Sequence, residues 1–329
     1  MTETPHILVC GGAGYIGSHL VRHLLRCGHH VTVFDNLSTG HRAAVGSADF
    51  VEGNLLDSVV LGQVFARAPV DAVVHFAALS IVADSVRDPE FYRRNNVDGT
   101  VNLLHAMRQA GVKRLVFSSS AAVYGNALGD WIDEDAPRQP INPYGASKAM
   151  AEDALADACH GGGLAVASLR YFNAAGAHPS GAIGESHHPE THLIPNVLRV
   201  AAGVDAGPVQ IFGRDYPTAD GTCIRDYVHV DDLADAHHRA LTWLDGRKGF
   251  HPFNLGSGRG FSVLEVLEAA QRVTGRLIRS VDAPRRHGDP HRLVASIARA
   301  RQWLGWQPGF SDLDTLLETA WNWHRAPGF

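Results

Sequence analysis

Short, nearly continuous apolar runs alternate with amphipathic stretches through the first half of the chain. The runs are HILVC at 6–10, VTVF at 31–34, AVVHFA at 72–77, LVFSSS at 115–120 and LAVASLRYF at 164–172, and runs of this kind read as strands buried on both faces. Between the first two, Ile16, Leu20, Val21, Leu24 and Leu25 fall on one helical face, and Gly28 stands where a helix end takes a left-handed residue. Strand, helix and strand, repeated, predict an α/β fold built on a doubly wound parallel sheet with helices on both sides. After about residue 174 the texture turns to loops rich in Gly, Pro and His, AGAHPSGAIGESHHPE, with helical patterns near 191–202, 231–244, 262–274 and 312–323. These predict a smaller C-terminal α/β lobe, and 329 residues exceed what one core usually fills, roughly 250 to 300. The division falls at 1–173 and 174–329, with YVHV at 227–230 and FNL at 253–255 as candidates for returning to the first sheet as edge strands.

The first strand runs directly into Gly11-Gly12-Ala13-Gly14-Tyr15-Ile16-Gly17, which opens the first helix. Glycines suit a tight turn whose backbone must approach a pyrophosphate, and the helix N-terminus then offers free N–H groups and a partial positive charge. In this strand, loop and helix context the pattern reads as the phosphate turn of a Rossmann-type sheet; a Gly-rich turn without a ligand is the minority reading. Asp35 follows the second strand, 18 residues past Gly17, where a carboxylate accepts ribose hydroxyls and repels a 2′-phosphate. The cofactor predicted is therefore NAD rather than NADP.

A second constellation is Asn142-Pro143-Tyr144-Gly145-Ala146-Ser147-Lys148, with Asn as N-cap and Pro at the first helical position. Tyr144 and Lys148 are then i and i+4, on one face and about 5 to 6 Å apart at Cβ. A phenol of pKa about 10 needs roughly 4 kcal/mol of help to act as a base at neutral pH. An ammonium about 4 Å away supplies about that at an effective dielectric near 20. Lys148 is one of only three lysines among 29 basic residues, the others being Lys113 and Lys148's distant neighbour Lys248. A strand ending in Ser118-Ser119-Ser120 precedes it, and ligands in such sheets sit beyond the carboxyl ends of strands. Tyr144 as base, Lys148 as tuner and Ser120 as partner of the reacting hydroxyl are the catalytic candidates.

Composition narrows the partners. A formal net charge of −5 with no dense Lys/Arg cluster argues against nucleic acid and anionic membrane surfaces. No apolar stretch approaches the roughly 20 residues of a membrane span, and the opening MTETPH lacks the basic start and apolar run of a signal peptide, so a cytoplasmic protein is expected. Cys10, Cys27, Cys159 and Cys223 form no CxxC pair and read as buried thiols. The 20 histidines are scattered singly or in doublets such as His29-His30, His187-His188 and His237-His238, without HExxH-type spacing, so no metal site is predicted.

From about His6 to about Phe310 these residues resemble the extended short-chain dehydrogenase/reductase family. The segments that carry the likeness are GGAGYIGSHL, FDNLSTG, RNNVDGT, FSSSAAVYG, NPYGASK, LRYFNAAGAHPSG, GRDYPTADGTCIRDYVHVDDLA, FNLGSG and RRHGDP. The resemblance implies inversion at C4 of a UDP-hexose: Tyr144 takes the proton of the 4′-hydroxyl as hydride leaves for tightly bound NAD, and the 4-ketopyranose turns over before the hydride returns. It implies cofactor contacts from Gly11, Gly14, Tyr15, Ile16, Gly17, Asp35, Asn36, Asn54, Leu55, Phe76, Ala77, Ala78, Asn95, Tyr144, Lys148 and Tyr171. For the UDP-sugar it implies Ser120, Tyr144, Asn173, His192, Leu193, Phe212, Arg225, Arg286, Asp289 and Leu293. The arginines suit a diphosphate through paired charge-assisted bonds, although Arg286 beside Arg285 is open to a surface ion pair.

Four positions depart from the family pattern. Asn54 stands where many relatives carry Asp, Ser80 where some carry Lys, His192 where one branch carries Asn, and Leu293 where strict hexose enzymes often carry Tyr. Acceptance of N-acetylated, uronic or pentose sugars stays open. Dehydration across C5 and C6 lacks its acid and base, since Ala121-Ala122 follow the Ser-rich strand; a non-catalytic NAD sensor would have no use for Tyr144 and Lys148. Family precedent further implies a homodimer through two apolar stripes, Val97, Val101, Leu104 and Met107 on one helix and Met150, Ala151, Ala154 and Leu155 on another.

Overall fold

All five apolar runs become strands because each can be covered on both faces. The computed structural model describes residues 4–127, 129–204, 207–286 and 289–329; two residues of the RRHGDP stretch lie outside these. Strands β1 (His6–Cys10), β2 (His30–Asp35), β3 (Asp49–Glu52), β4 (Ala72–His75), β5 (Arg114–Ser120) and β6 (Ala165–Tyr171) are followed by β7 (Asn173–Ala175), β8 (Val209–Phe212), β9 (Ile224–His229) and β10 (Gly249–Leu255). The last of these returns to β6. A seven-stranded sheet results, in the order β10-β6-β5-β4-β1-β2-β3, with every neighbouring pair parallel. Of the two candidate returning segments, FNL is therefore in the large sheet. Tyr227 to His229 instead belong to β9, which pairs with β7, with β11 (Gly260–Ser262) and with β13 (Arg292–Leu293). Strand β12 (Ser280–Ala283) pairs with β8.

The helices are α1 (Tyr15–Arg26), α2 (Ser58–Arg67), α3 (Val82–Arg87), α4 (Pro89–Arg93), α5 (Gly99–Ala110), α6 (Pro143–Cys159), α7 (Leu193–Ala201), α8 (Val230–Trp243), α9 (Val263–Thr274), α10 (Ala298–Leu304) and α11 (Leu313–Arg325). One face of the large sheet is covered by α1, α8 and α10 through Leu20, Val21, Leu24, Leu233, Leu241 and Leu304. The other is covered by α2, α5 and α6 through Leu61, Leu103, Met107, Ala151 and Leu155. A separate core joins α7, α9 and α11 through Val197, Leu198, Val266, Ala270, Leu316 and Leu317. The strand order reverses direction between β1 and β4, and such a switch point leaves a crevice at the carboxyl ends of the strands.

Two expectations need correcting. Only Cys10 and Cys223 are buried thiols; Cys159 is half-buried and Cys27, just past the end of α1, is exposed. In the two apolar stripes, Met107, Ala151 and Leu155 fill the chain's own core and Val97 is buried, which leaves Val101, Leu104, Met150 and Ala154 accessible. Among the described residues no helix is long and apolar enough to cross a membrane.

Candidate active site

Every site residue named from the sequence lines one cleft of about 1610 Å³ beyond the carboxyl ends of the strands. Gly11 and Gly14 come from the turn after β1, Tyr15, Ile16 and Gly17 from the start of α1, Asp35 and Asn36 from the end of β2, Asn54 and Leu55 from beyond β3, and Phe76, Ala77 and Ala78 from beyond β4. Asn95, Ser120, Tyr144, Lys148, Tyr171 and Asn173 continue the wall. Across from them stand His192, Leu193, Phe212, Arg225, Arg286, Asp289 and Leu293.

The glycines of the first turn divide by what surrounds them. A Cβ on Gly11, at φ +79°, would lie 2.5 Å from the Ala77 nitrogen, and one on Gly17 would lie 2.2 Å from the Gly11 oxygen. Both are required by the protein itself. Gly14 differs, since a Cβ there meets only the Gly11 oxygen, at 3.5 Å. Its bareness serves whatever approaches from the cleft. Helix α1 also starts with no side-chain cap and no acidic residue in its first turn, so its free N–H groups and positive pole are left for an anion. Asp35 is held by the amides of Ala13 at 2.9 Å and Leu37 at 2.8 Å. Burial raises its pKa against these bonds. Leu37 is the only described non-glycine residue in the left-handed region, at φ 56°, a strain of the kind that collects at functional sites. Bare turn, uncapped helix and buried carboxylate together fit a dinucleotide. Asn54 turns its side-chain oxygen to the Leu56 amide at 2.9 Å.

At the catalytic end Asn142 caps α6, accepting from the Gly145 amide at 2.8 Å, with Pro143 opening the helix. Burial is the largest influence on both members of the pair expected from spacing. Lys148 is buried and its Nζ donates to the Ser118 carbonyl at 2.9 Å, above the Phe117 ring at 5.0 Å. Burial, opposed by Glu152, brings its pKa down to about 7. Burial likewise raises the Tyr144 phenol, offset only by a hydrogen bond with Ser120. The reason is distance from solvent: a buried ammonium is attracted first to the nearest backbone oxygen. Ser120 also accepts from the Ala122 amide at 3.1 Å, so it caps the turn after β5 as well as meeting the phenol. Tyr171 bonds Ser118 through its hydroxyl.

Across the cleft, Arg225 is fixed by Asp289 at 2.7 Å and by the Pro290 carbonyl at 2.9 Å. Arg286 lies 4.0 Å over the Phe212 ring, while its neighbour Arg285 makes the surface pair, with Asp215 at 2.6 Å. The ion-pair alternative raised for Arg286 thus belongs to Arg285. Asn173 donates to the Asp226 carbonyl at 3.0 Å. His192 touches Glu185, whose carboxylate, overcoming burial, pushes the imidazole up to about 9. Glu185 also meets His187 at 3.2 Å.

Sequence reasoning missed two supports. Glu152, fully buried on α6, accepts from Ser119, Ser168 and Arg170 at 2.6 to 2.9 Å. It continues the Tyr144, Lys148 series by one more helical turn, which was the signal available. The second is the π-helical turn Arg94–Asp98, which aims Asn96 at Leu79 (2.8 and 3.0 Å) and Ser147 (2.9 Å) beside the cleft-lining Asn95. Such turns mark functional sites but have no hydrophobic period to reveal them.

Comparison with known proteins agrees with this geometry. The family described as "NAD dependent epimerase/dehydratase family" matches residues 7–256. A UDP-glucose 4-epimerase of Lacticaseibacillus casei is 54% identical over 320 residues, covering 97% of this chain and 96% of that one. The crystal structure of UDP-glucose 4-epimerase from Brucella ovis in complex with NAD superposes with TM-score 0.94 at 47% identity, over 97% and 98% of the two chains. That of the Bifidobacterium longum enzyme in complex with NAD+ and UDP does so with TM-score 0.93 at 37% identity, over 98% and 100%. With its parallel sheet, its bare phosphate turn and this likeness over nearly the whole length, the chain belongs to the NAD dependent epimerase/dehydratase family.

Proposed function

We propose that this protein is a UDP-glucose 4-epimerase, interconverting UDP-galactose and UDP-glucose through a 4-keto intermediate with NAD held throughout. The observation that carries the reading is that the dinucleotide cradle, the Ser120–Tyr144–Lys148 group and the two arginines share one cleft. Gly11, Gly14 and Gly17 with the start of α1 would receive the pyrophosphate and Asp35 the adenosine ribose, with Tyr171, Asn95 and Phe76 around the nicotinamide half. Bound NAD supplies the oxidising and reducing equivalents, so that the reaction has no net redox change.

Tyr144 takes the proton of the 4′-hydroxyl as C4 becomes a carbonyl, and returns it to the same oxygen when C4 is reduced from the other face. Ser120 bonds the phenol and presents a second partner to that hydroxyl. Lys148 stands in the wall behind, bonded to the Ser118 carbonyl, and in its protonated form adds a positive charge that favours phenolate. Turning the sugar requires an unequal grip: Arg225, set by Asp289, and Arg286, set on Phe212, hold the diphosphate and uridine, while the sugar itself is left free to rotate. We divide the work at about residue 173, with the later segment holding the nucleotide-sugar.

The test is to give purified protein UDP-galactose with no added NAD and look for UDP-glucose. Tyr144→Phe should keep its NAD and lose at least about 100-fold in turnover, the usual contribution of a positioned base. Bound NAD without interconversion would defeat the reading. We infer also a homodimer through α5 and α6, where Val101, Leu104, Met150 and Ala154 are accessible; light scattering that returned the monomer mass at assay concentrations would remove it.

A further inference from the structure

On the sheet face that α1 and α8 cover together, the end of α1 meets α8 at a group of side chains that the reaction does not use. His23 lies in the last turn of α1, Cys27 closes that helix, His29 follows, and His238 reaches them from α8. None of the four lines the cleft. The His23 Nε2 atom is 3.2 Å from His238 Nδ1, and Cys27 Sγ is 3.8 Å from the same nitrogen. All three ligand atoms lie within 4.8 Å of one another.

These separations resemble the edges of a tetrahedron around a metal. With Zn–N near 2.0–2.1 Å and Zn–S near 2.3 Å, tetrahedral angles give N···N of about 3.3 Å and N···S of about 3.6 Å. A hydrogen bond accounts for the first contact but poorly for the second, which is long. The remaining imidazole completes the pattern. His238 Nε2 is 3.1 Å from His29 Nε2, and once Nδ1 of His238 is a ligand, its Nε2–H is the natural donor to His29. Metal-bound histidines nearly always give their second N–H to such a partner. His29 Nδ1 is buried with no hydrogen-bond partner, so the proton it carries in that arrangement is tolerated for the sake of the Nε2 lone pair. The site also sits at the C-terminal, negative pole of α1. Cys27 is exposed, which leaves a fourth coordination position to solvent.

We propose that Cys27, His23 and His238 bind a borderline-to-soft transition-metal ion of the Zn2+ class, with His29 as the outer partner, clamping the end of α1 to α8. The sulfur and imidazole set selects against Mg2+ and Ca2+, which prefer oxygen. The ligands come from α1, from the residue that caps it and from α8, 211 residues after Cys27, which is why sequence spacing predicted no metal site.

The experiment uses the full chain with its cofactor, reduced, freed of metal by a chelator and then titrated with Co2+ as a spectroscopic stand-in for Zn2+. We expect stoichiometric uptake with visible bands of four-coordinate cobalt and a sulfur-to-cobalt charge-transfer band in the near ultraviolet, all discharged by Zn2+. Cys27→Ser should remove the sulfur band, and His238→Gln should weaken binding more than about 100-fold, beyond the roughly 10- to 100-fold that an outer partner contributes. Both variants should keep bound cofactor and turnover, which shows that they fold. The cluster Glu185, His187, Glu190 and His192 also gathers metal-ligating atoms but contains no sulfur. Cobalt bound without a sulfur band, cobalt bound equally well by both variants, or no uptake at all would each overturn the proposal.

Discussion

Lys148 shows how much a single buried charge costs. It is 3% exposed, bonded to one carbonyl, and its pKa is brought from 10.5 down to about 7 by burial. A lysine whose folded pKa is lowered binds fewer protons than the unfolded chain between those two values, so its penalty is fully present below about pH 7 and is relieved as pH rises toward 10.5. Each pKa unit is worth about 1.4 kcal/mol, which makes the penalty a few kcal/mol. Lys148→Met, which fills the same space without the charge, should therefore melt higher than the parent in the cofactor-free protein at pH 6, with the difference fading by pH 10. The same variant should have lost turnover. A lower melting temperature at pH 6 would mean that the Ser118 bond outweighs the desolvation. Spacing identified the Tyr144 and Lys148 pair from sequence, because i and i+4 is a property of the helix alone. Where the ammonium points was not legible, because Ser118 belongs to a strand 30 residues away.

At the level of elements, the turn from β1 into α1 separates structural from functional glycines. Gly14 adopts φ −76°, ψ 175°, a conformation open to any residue, and a Cβ there touches nothing closer than 3.5 Å. Gly14→Ala should fold with a loss of about 1 kcal/mol or less, the scale of an N-cap change, yet bind NAD at least tenfold more weakly because the methyl occupies the pyrophosphate's approach. Gly17→Ala forces a contact of 2.2 Å with the Gly11 oxygen, so both melting temperature and cofactor content should fall. Thermal melts beside cofactor absorbance of the purified variants decide it, and equal behaviour of the two would refute the distinction. The long apolar strands and α1 were readable because burial on both faces leaves a continuous hydrophobic signal. Strand β3, DFVE, was not: it is an edge strand with acidic residues at both ends and only Val51 buried. The π-helical turn and short α10 escaped for a related reason, since neither is long enough to express a period.

The whole molecule depends on how the later segments are tied back to the large sheet, and the sequence showed only half of this: FNL returns as one of the two candidates and YVHV does not, because an apolar run does not name its partner. Strand β10 closes the sheet edge and α8 covers one face, although both follow the change of texture near residue 174. Asp226, fully buried in β9, makes the connection. One carboxylate oxygen accepts from the amide and hydroxyl of Ser257, both at 2.7 Å, just beyond β10; the other accepts from the amides of Gly258 at 3.1 Å and Ala295 at 3.0 Å, the latter just beyond β13. Its carbonyl holds Asn173, and its neighbour Arg225 is the diphosphate candidate. Asp226→Asn keeps one acceptor oxygen and turns an NH2 toward two buried N–H groups. Donors left unsatisfied in this way cost about 1–3 kcal/mol each, so denaturant unfolding should show a loss of at least about 2 kcal/mol. The cradle for NAD rests on β1, β2 and β4, remote from this knot, whereas Asn173 and Arg225 hang on it directly. Calorimetry with UDP should accordingly show weakened binding in a variant that still purifies with its cofactor. Loss of both ligands together would mean that the two halves of the cleft form a single cooperative unit, and unchanged UDP affinity would mean that the arginines are positioned by Asp289 and Pro290 alone.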